Sequence, residues 1–292
     1  MSDREEFTPR SKKKSQISEI LKRLLMNHAA VVGMLIMLIL IFAAIFADYV
    51  APYSYEQQNL NEMFARPSLK HLFGTDNFGR DIFSRVIYGA RISLFIGLTS
   101  VVLGCISGGA LGAIAAYYGG RADNIIMRVL DVMNSIPNLL LAISLSASMG
   151  AGVGNAMIAI GITSIPIYAR VVRAAVMTVK EQEYIEAARV LGVSNRRIIL
   201  RHILPNSLAP IIVQASLGIA GAIITTASLS FIGLGVVPPT PEWGGMLSAG
   251  RQYIRNHWHM VTFPGLAIMI TVMSFNLFGD GLRDALDPRL KR

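Results

Sequence analysis

Apolar runs long enough to cross a bilayer alternate with short polar stretches along these 292 residues. The first run, Ala29 to Ala47, carries no charge over about 19 residues, enough to span a hydrocarbon core about 30 Å thick. Further runs predict spans from Ile92 to Tyr118, Pro137 to Met149, Asn155 to Val176, Leu208 to Val236 and Met260 to Phe278. Pro166 falls inside the fourth of the six, and Gly150, Gly152 and Gly154 predict a tight turn leading into it. Gly108 and Gly112 on the second span stand four apart, the spacing of a close-packing face between membrane helices. The pattern is that of an all-α, polytopic membrane protein with six transmembrane helices.

The polar stretches divide the chain. Residues 1–28 read as a basic tail, expected to be disordered at first and to end in an amphipathic helix. Ile17, Ile20, Leu21, Leu24 and Leu25 would lay that helix on the membrane surface. A positive start before an apolar run also fits a signal peptide, but the run is long for one and no A-x-A site follows. Residues 29–47 are therefore read as an uncleaved first span.

Residues 48–91 form the largest polar region between spans, and its end is organised. Gly74 breaks, Thr75 or Asp76 can cap, and Ile82, Phe83, Val86 and Ile87 make the apolar side of an interfacial helix. Arg80, Asp81 and Arg85 are expected opposite them, with Asp81 and Arg85 paired at i,i+4. Such a helix would either orient the second span or receive a partner. Residues 92–283 then hold the other five spans, and 284–292 make a short basic tail. Arg128 and Asp131, one turn apart, are expected to neutralise each other. The connector after the fifth span carries Trp243, Tyr253 and Trp258, aromatics suited to a membrane interface.

Composition agrees with a bilayer protein, since only 15% of residues are charged where soluble domains carry about a quarter. The single cysteine, Cys105, excludes a disulfide framework or a cysteine-based metal site. Basic residues are unevenly placed. The N-terminal tail holds seven, residues 119–131 two, residues 170–201 seven and the C-terminal segment four, against seven on the opposite side. The positive-inside rule puts both termini and the 170–201 region in the cytoplasm, and it explains most of the net charge of +9 without nucleic acid.

One polar segment stands apart within the second half, Glu183 to Asn206. Ala187, Ala188, Val190 and Leu191 would give a first short helix an apolar side, and Gly192 would end it. Ser194 can cap a second helix, in which Ile198, Ile199 and Ile203 recur at helical spacing until Pro205 closes it. Glu183, Glu186, Arg189, Arg196, Arg197 and Arg201 are expected outside. Ala188, Gly192 and Ile198 also fall at the spacing of a DNA-binding helix-turn-helix. Membrane-length runs begin within a few residues on both sides, which leaves no free domain to present a recognition helix. Docking against another protein suits the element better.

Catalytic chemistry is missing from the chain. It has no G-x-x-x-x-G-K-[ST] loop, and no His, Cys and carboxylate cluster at catalytic metal spacing. His257 and His259 flank Trp258 without a carboxylate, which reads as interfacial packing ahead of a transient metal contact. The middles of the spans lack the ionisable groups of a proton- or sodium-coupled carrier. Any driving force for transport would then come from outside, delivered at the 183–206 segment.

That segment resembles the EAA motif of the membrane subunits of bacterial ABC importers. Glu186, Ala187, Ala188, Gly192, Leu204 and Pro205 match it, while His202 stands where isoleucine is usual. The Arg201 to Asn206 stretch resembles the variant of the dipeptide/oligopeptide/nickel branch, as do Gly74 to Leu94 and Ser228 to Met246. The resemblance covers almost everything after residue 28 and is specific to the C-type permease, the one with an extra first span.

The resemblance implies a type I ABC importer permease fold with a cytoplasmic coupling helix-turn-helix at 181–206, in the bacterial inner membrane. It implies a heterodimer with a second, homologous permease, two cytoplasmic ATPases and an extracytoplasmic substrate-binding protein. ATP would be bound by those partner subunits, so no cofactor and no metal are expected in this chain, and no nucleic acid partner. Glu186 would pair with a basic group on an ATPase or cap its helix. Ala187 and Ala188 would permit close approach, and Gly192 would allow the turn. The implied cargo is a di- or oligopeptide, with nickel or a nickel chelate as the alternative. A passive channel or a scaffold that anchors ATPases is the competing class; an enzyme has no supporting constellation.

Overall fold

A computed structural model describes residues 16–286. The tail cations Arg4, Arg10, Lys12, Lys13, Lys14, Arg289, Lys291 and Arg292, and the disorder expected of the first residues, lie outside the described residues. Helices carry almost all of the rest, with Thr75 and Asp81 forming one isolated antiparallel bridge. In chain order they are α1 (Gln16–Met26), α2 (His28–Ile45), α3 (Ala47–Val50), α4 (Ile82–Tyr118), α5 (Gly120–Ser135), α6 (Asn138–Met149) and α7 (Val153–Lys180). There follow α8 (Glu183–Val190), α9 (Asn195–Ile198), a π-helical turn (Ile199–Ile203), α10 (Leu204–Asn206), α11 (Leu208–Phe231), α12 (Trp243–Gly250) and α13 (His259–Leu286).

Five of these, α2, α4, α7, α11 and α13, are long and apolar enough to cross a membrane. The remaining span, third along the chain, differs from its expected form. Instead of one run from Pro137, α5 and α6 meet at 89° and count as a span only as a bent pair. Ile136 and Pro137, both extended, sit at the break: proline cannot continue the ladder and pushes the residue before it out of helical geometry.

α4 departs most from expectation. No separate interfacial helix precedes the second span, because nothing between Ile82 and Ile92 breaks a helix and the two run on as one element of 37 residues. At 1.5 Å per residue that is about 55 Å, well beyond a hydrocarbon core of about 30 Å. α4 lies against α7 with backbones in contact. A Cβ at Gly108 would stand 2.5 Å from the Ile165 carbonyl oxygen, and one at Gly112 would stand 2.2 Å from that of Ala169, so only glycine permits the approach. Pro166 is accommodated inside α7 without ending it.

Hydrogen bonds tie the other spans in. Ser146 on α6 donates to the Leu234 carbonyl at 2.8 Å, and Arg173 on α7 holds Asp123 on α5 with two bonds of 2.6 Å. Arg170 reaches Asp131 at 2.8 Å, so Asp131 pairs across to α7 and not with Arg128. α1 packs Leu24 on Ala30 and Ala285 and leaves Leu21, Leu25 and Met26 exposed, beside the exposed apolar flank of α2.

Candidate functional site

The segment from Lys180 to Ser207 is built around one buried cluster at the end of α4. Ile185 of α8, Ile198 of α9 and Ile203 of the π turn are fully buried there, with Tyr117 of α4, Val172 and Val176 of α7, and Ile211 of α11. α8 starts after Gln182, which is extended and makes no side-chain cap. It ends in a Schellman closure: the Val193 amide donates to the Ala188 carbonyl at 3.1 Å, and the Gly192 amide donates to that of Arg189 at 2.9 Å. Gly192 sits at φ +73, and nothing lies within 4 Å of where its Cβ would be. Its requirement is conformational, since side chains avoid this left-handed region, and does not come from crowding. Ala188 and Val193 pack on the cluster together, supplying the apolar contact that accompanies such closures.

The apolar side of α8 is therefore not the one expected. Ile185 and Ala188 face inward, whereas Val190 and Leu191 are 88% and 81% exposed at the tip. In a helix of eight residues, Ile185 and Ala188 share a face and Val190 falls on the other side. Of the motif residues, Glu186, Ala187, Gly192 and Pro205 are exposed, while Ala188 and Leu204 are half-buried against the cluster. Glu186 lies near the start of α8, where a carboxylate suits the helix dipole, but it makes no cap bond and no ion pair among the described residues. Glu183, Arg189, Arg196, Arg197 and Arg201 are exposed around it.

Two further expectations change. Ser194 occupies the cap position of α9 but its hydroxyl accepts no bond from the helix. Pro205 does not close the element; the chain turns on through α10 and Ser207 into α11. The π turn makes this possible: the Leu204 amide donates to the Ile199 carbonyl, five residues back, and the widened turn accommodates a ring that would clash in a regular helix.

Four residues outside the motif hold this segment to α4. The Tyr117 hydroxyl donates to Asn195 Oδ1 at 2.7 Å, and its ring, on a residue only 6% exposed, has Arg189 Cζ at 5.4 Å and Lys180 Nζ at 6.0 Å. Lys180 Nζ also donates to the Ala116 carbonyl at 3.0 Å, one of the orphan acceptors at the end of α4. An aromatic closing an apolar run was the only sequence sign of Tyr117, and nothing local points to a partner 78 residues away.

The opposite end of α4 carries a second cluster of charges, but buried. Asp81 caps α4, accepting from the Ser84 amide at 2.8 Å, and its other oxygen lies 2.9 Å from His71 Nδ1. Asp76 accepts from the Phe78 and Arg80 amides at 2.8 and 3.0 Å and from Arg80 Nε at 2.7 Å. Arg85 does not pair with Asp81; it donates to the carbonyls of Tyr55 at 2.8 Å and Pro239 at 3.4 Å. Lys70, bonded to the Glu62 carboxylate, and His71 beside it hold that carboxyl below its usual range. Trp243 belongs to this core and not to a membrane interface, since it is fully buried with Nε1 donating to the Val86 carbonyl at 3.0 Å. His257 stacks on Phe64 and His259 is buried against the Thr75 carbonyl, which makes them packing residues.

Comparison with known proteins places this geometry. Residues 108–292 match the family described as the binding-protein-dependent transport system inner membrane component, and residues 15–67 match the N-terminal transmembrane domain of oligopeptide transport permease C. The chain is 50% identical to the dipeptide transport system permease protein of Alkalihalophilus pseudofirmus, across 94% of this chain and 90% of that one. It is 47% identical to the di/tripeptide transport system permease protein of Pseudomonas aeruginosa, over 95% and 93%. The glutathione transport system permease protein of Pectobacterium atrosepticum is 48% identical over 94% and 91%. Among solved structures, an inward facing conformation of the MetNI methionine ABC transporter superposes with a TM-score of 0.58 at 18% identity, covering 70% of this chain and 98% of that one. The shared fold is that of a type I ABC importer permease.

Proposed function

The chain belongs to the family of inner-membrane components of binding-protein-dependent transport systems, and from that premise we propose how it works. It is a multi-pass membrane permease of an ABC importer, acting with a partner permease, ATPases and a binding protein. Its cargo is a di- or oligopeptide, in keeping with relatives whose names specify dipeptides, di/tripeptides and glutathione. The partner permease is a homologous one, and peptide passes between the two. Two cytoplasmic ATPases each grip one permease, the binding protein delivers from outside, and both termini of this chain lie in the cytoplasm.

The exposed tip of α8 carries the coupling role. Val190 and Leu191 are large apolar side chains held out at the Schellman closure, and Glu186, Arg189, Arg196 and Arg197, within seven residues of them in the chain, are exposed as well. An apolar centre with a charged rim is the composition of a protein-docking patch. Glu186 and Ala187, exposed on the same short helix, belong to that patch; Ala188, Gly192 and Leu204 shape the element behind it, and Pro205 follows the π turn that leads back to α11. ATP-driven closure of the ATPases displaces this element and switches the spans between outward and inward access.

The test is uptake into proteoliposomes holding the permease, its partner permease, ATPases and binding protein, with ATP inside and labelled dipeptide or nickel outside. ATP-dependent dipeptide accumulation is expected. Gly192→Asp, which forces a charged side chain into the left-handed region at the patch, is expected to insert normally and to lower uptake at least tenfold. Normal uptake by the inserted variant would remove the coupling role. ATP-dependent nickel accumulation would overturn the cargo, and flux indifferent to ATP would leave a channel.

A further inference from the structure

Displacing a docking patch moves nothing in the membrane unless the patch is tied to a span, and the backbone ties differ in kind. α7 enters α8 through only Glu181 and Gln182, and α9 leaves through a π turn. α4 has no backbone link to the segment, yet among the described residues its Tyr117 hydroxyl donates to Asn195, beyond the Gly192 turn, at 2.7 Å, beside the Lys180 bond to the Ala116 carbonyl at 3.0 Å. The same ring lies within cation–π reach of Arg189 on α8 and of Lys180 on α7, so one aromatic touches all three helices that meet there. Tyr117 is buried, with Ile185 and Ile198 in the cluster around it, while Asn195 is exposed, so the bond runs from the core to the surface of the segment. A hydrogen bond in such a setting is directional as well as favourable, whereas the surrounding isoleucines can slide.

We infer that Tyr117 is a positioning residue of the transport cycle: its bond to Asn195 conveys movement of the coupling element into α4. This rests on the coupling role proposed for the patch. The hydroxyl pulls on the far side of the Gly192 turn while Arg189 and Lys180 bracket the ring, so rotation of the element turns the end of α4 with it. The remote end of α4 is clamped to the opposite polar region by the Asp81 contact with His71 and by Arg85 on the Tyr55 carbonyl, which gives the movement somewhere to arrive.

The experiment measures ATP hydrolysed per peptide imported in proteoliposomes containing the whole complex. Tyr117→Phe keeps the ring and both cation contacts and removes only the donor. It is expected to leave ATPase co-purification within twofold of the unmodified complex and to raise ATP hydrolysed per peptide at least fivefold. Asn195→Ala should do the same, and the double variant should be no worse than either single one, as for two ends of one bond. Asn195→Asp, which keeps an acceptor oxygen, should hold the ratio nearer the native value than Asn195→Ala does. An unchanged ratio in Tyr117→Phe overturns the inference. So does a fall in uptake and ATPase retention at constant ratio, which marks a structural brace. Gly192→Asp run alongside separates the two ideas: if it imports normally, the coupling role itself has failed, whatever Tyr117→Phe does.

Discussion

The two ends of α4 are both rich in charge and use it in opposite ways. At the Asp81 end, Asp76, Asp81, Arg80, Arg85 and His71 are buried and bonded to one another, to amides and to carbonyls of distant loops. At the Tyr117 end, Glu183, Glu186, Arg189, Arg196, Arg197 and Arg201 stand in solvent, and the buried side chains, Ile185, Ile198 and Ile203 with Tyr117, Val172 and Val176, carry no charge. Desolvated charges require fixed partners, so the first region is rigid and intolerant of loss. Solvated charges around an uncovered apolar tip need no fixed partner, and of these only Arg189, over the Tyr117 ring, is seen to contact another helix among the described residues. The same residue types thus make a buried clamp at one end and an exposed, solvated face at the other.

That contrast can be broken from either side. The largest effect is expected for Asp76→Ala, which strands the buried Arg80 side chain and its amide, and leaves the part-buried Phe78 amide without its acceptor. Unfolding in detergent should show a loss of about 3–5 kcal/mol, and a loss below about 1 kcal/mol would mean the buried network is not a clamp. Next comes the pair Val190→Asp with Leu191→Asp. Its unfolding should stay within about 0.5 kcal/mol of the native chain, because both sites are exposed. Retention of the ATPases on the purified permease should nevertheless fall about tenfold, roughly 1.4 kcal/mol. A destabilised variant, or full retention, would erase the distinction between the two ends. Glu186→Ala sharpens it further, with retention expected to fall about two- to fivefold as for one solvated rim charge. Unchanged retention would reduce Glu186 to a solubilising residue. Smallest of all, Lys70→Ala removes a pair exposed on the outer rim of the clamp, and the unfolding midpoint should not move measurably. A clear drop would extend the clamp to its surface.

Much of this was legible in the chain, and what was not has a common cause. The apolar runs announced the spans because bilayer thickness fixes their length. Gly192 was legible because a helix ending in a turn there needs a left-handed residue. Val190 and Leu191 read as an inward face because apolar periodicity ranks residues by affinity for water and does not see the tip of an eight-residue helix, where both stand exposed. Arg85 was assigned to Asp81 by the i,i+4 rule, which sees only neighbours, whereas its acceptors are 30 and 154 residues away. Trp243 looked interfacial for the same reason, since its acceptor on Val86 is 157 residues distant. The bend at Ile136 and Pro137 was missed because a proline can open a helix as well as break one.

The glycine contacts between α4 and α7 have a mechanical meaning. Two helices joined backbone to backbone bend as a single composite beam, far stiffer than either alone, because bending one must stretch or compress the other. Close-packed interiors transmit strain and do not absorb it. Around Gly104, Gly108 and Gly112 the two helices therefore resist bending together, which holds the helix ends that carry Tyr117 and Lys180 in a fixed relation.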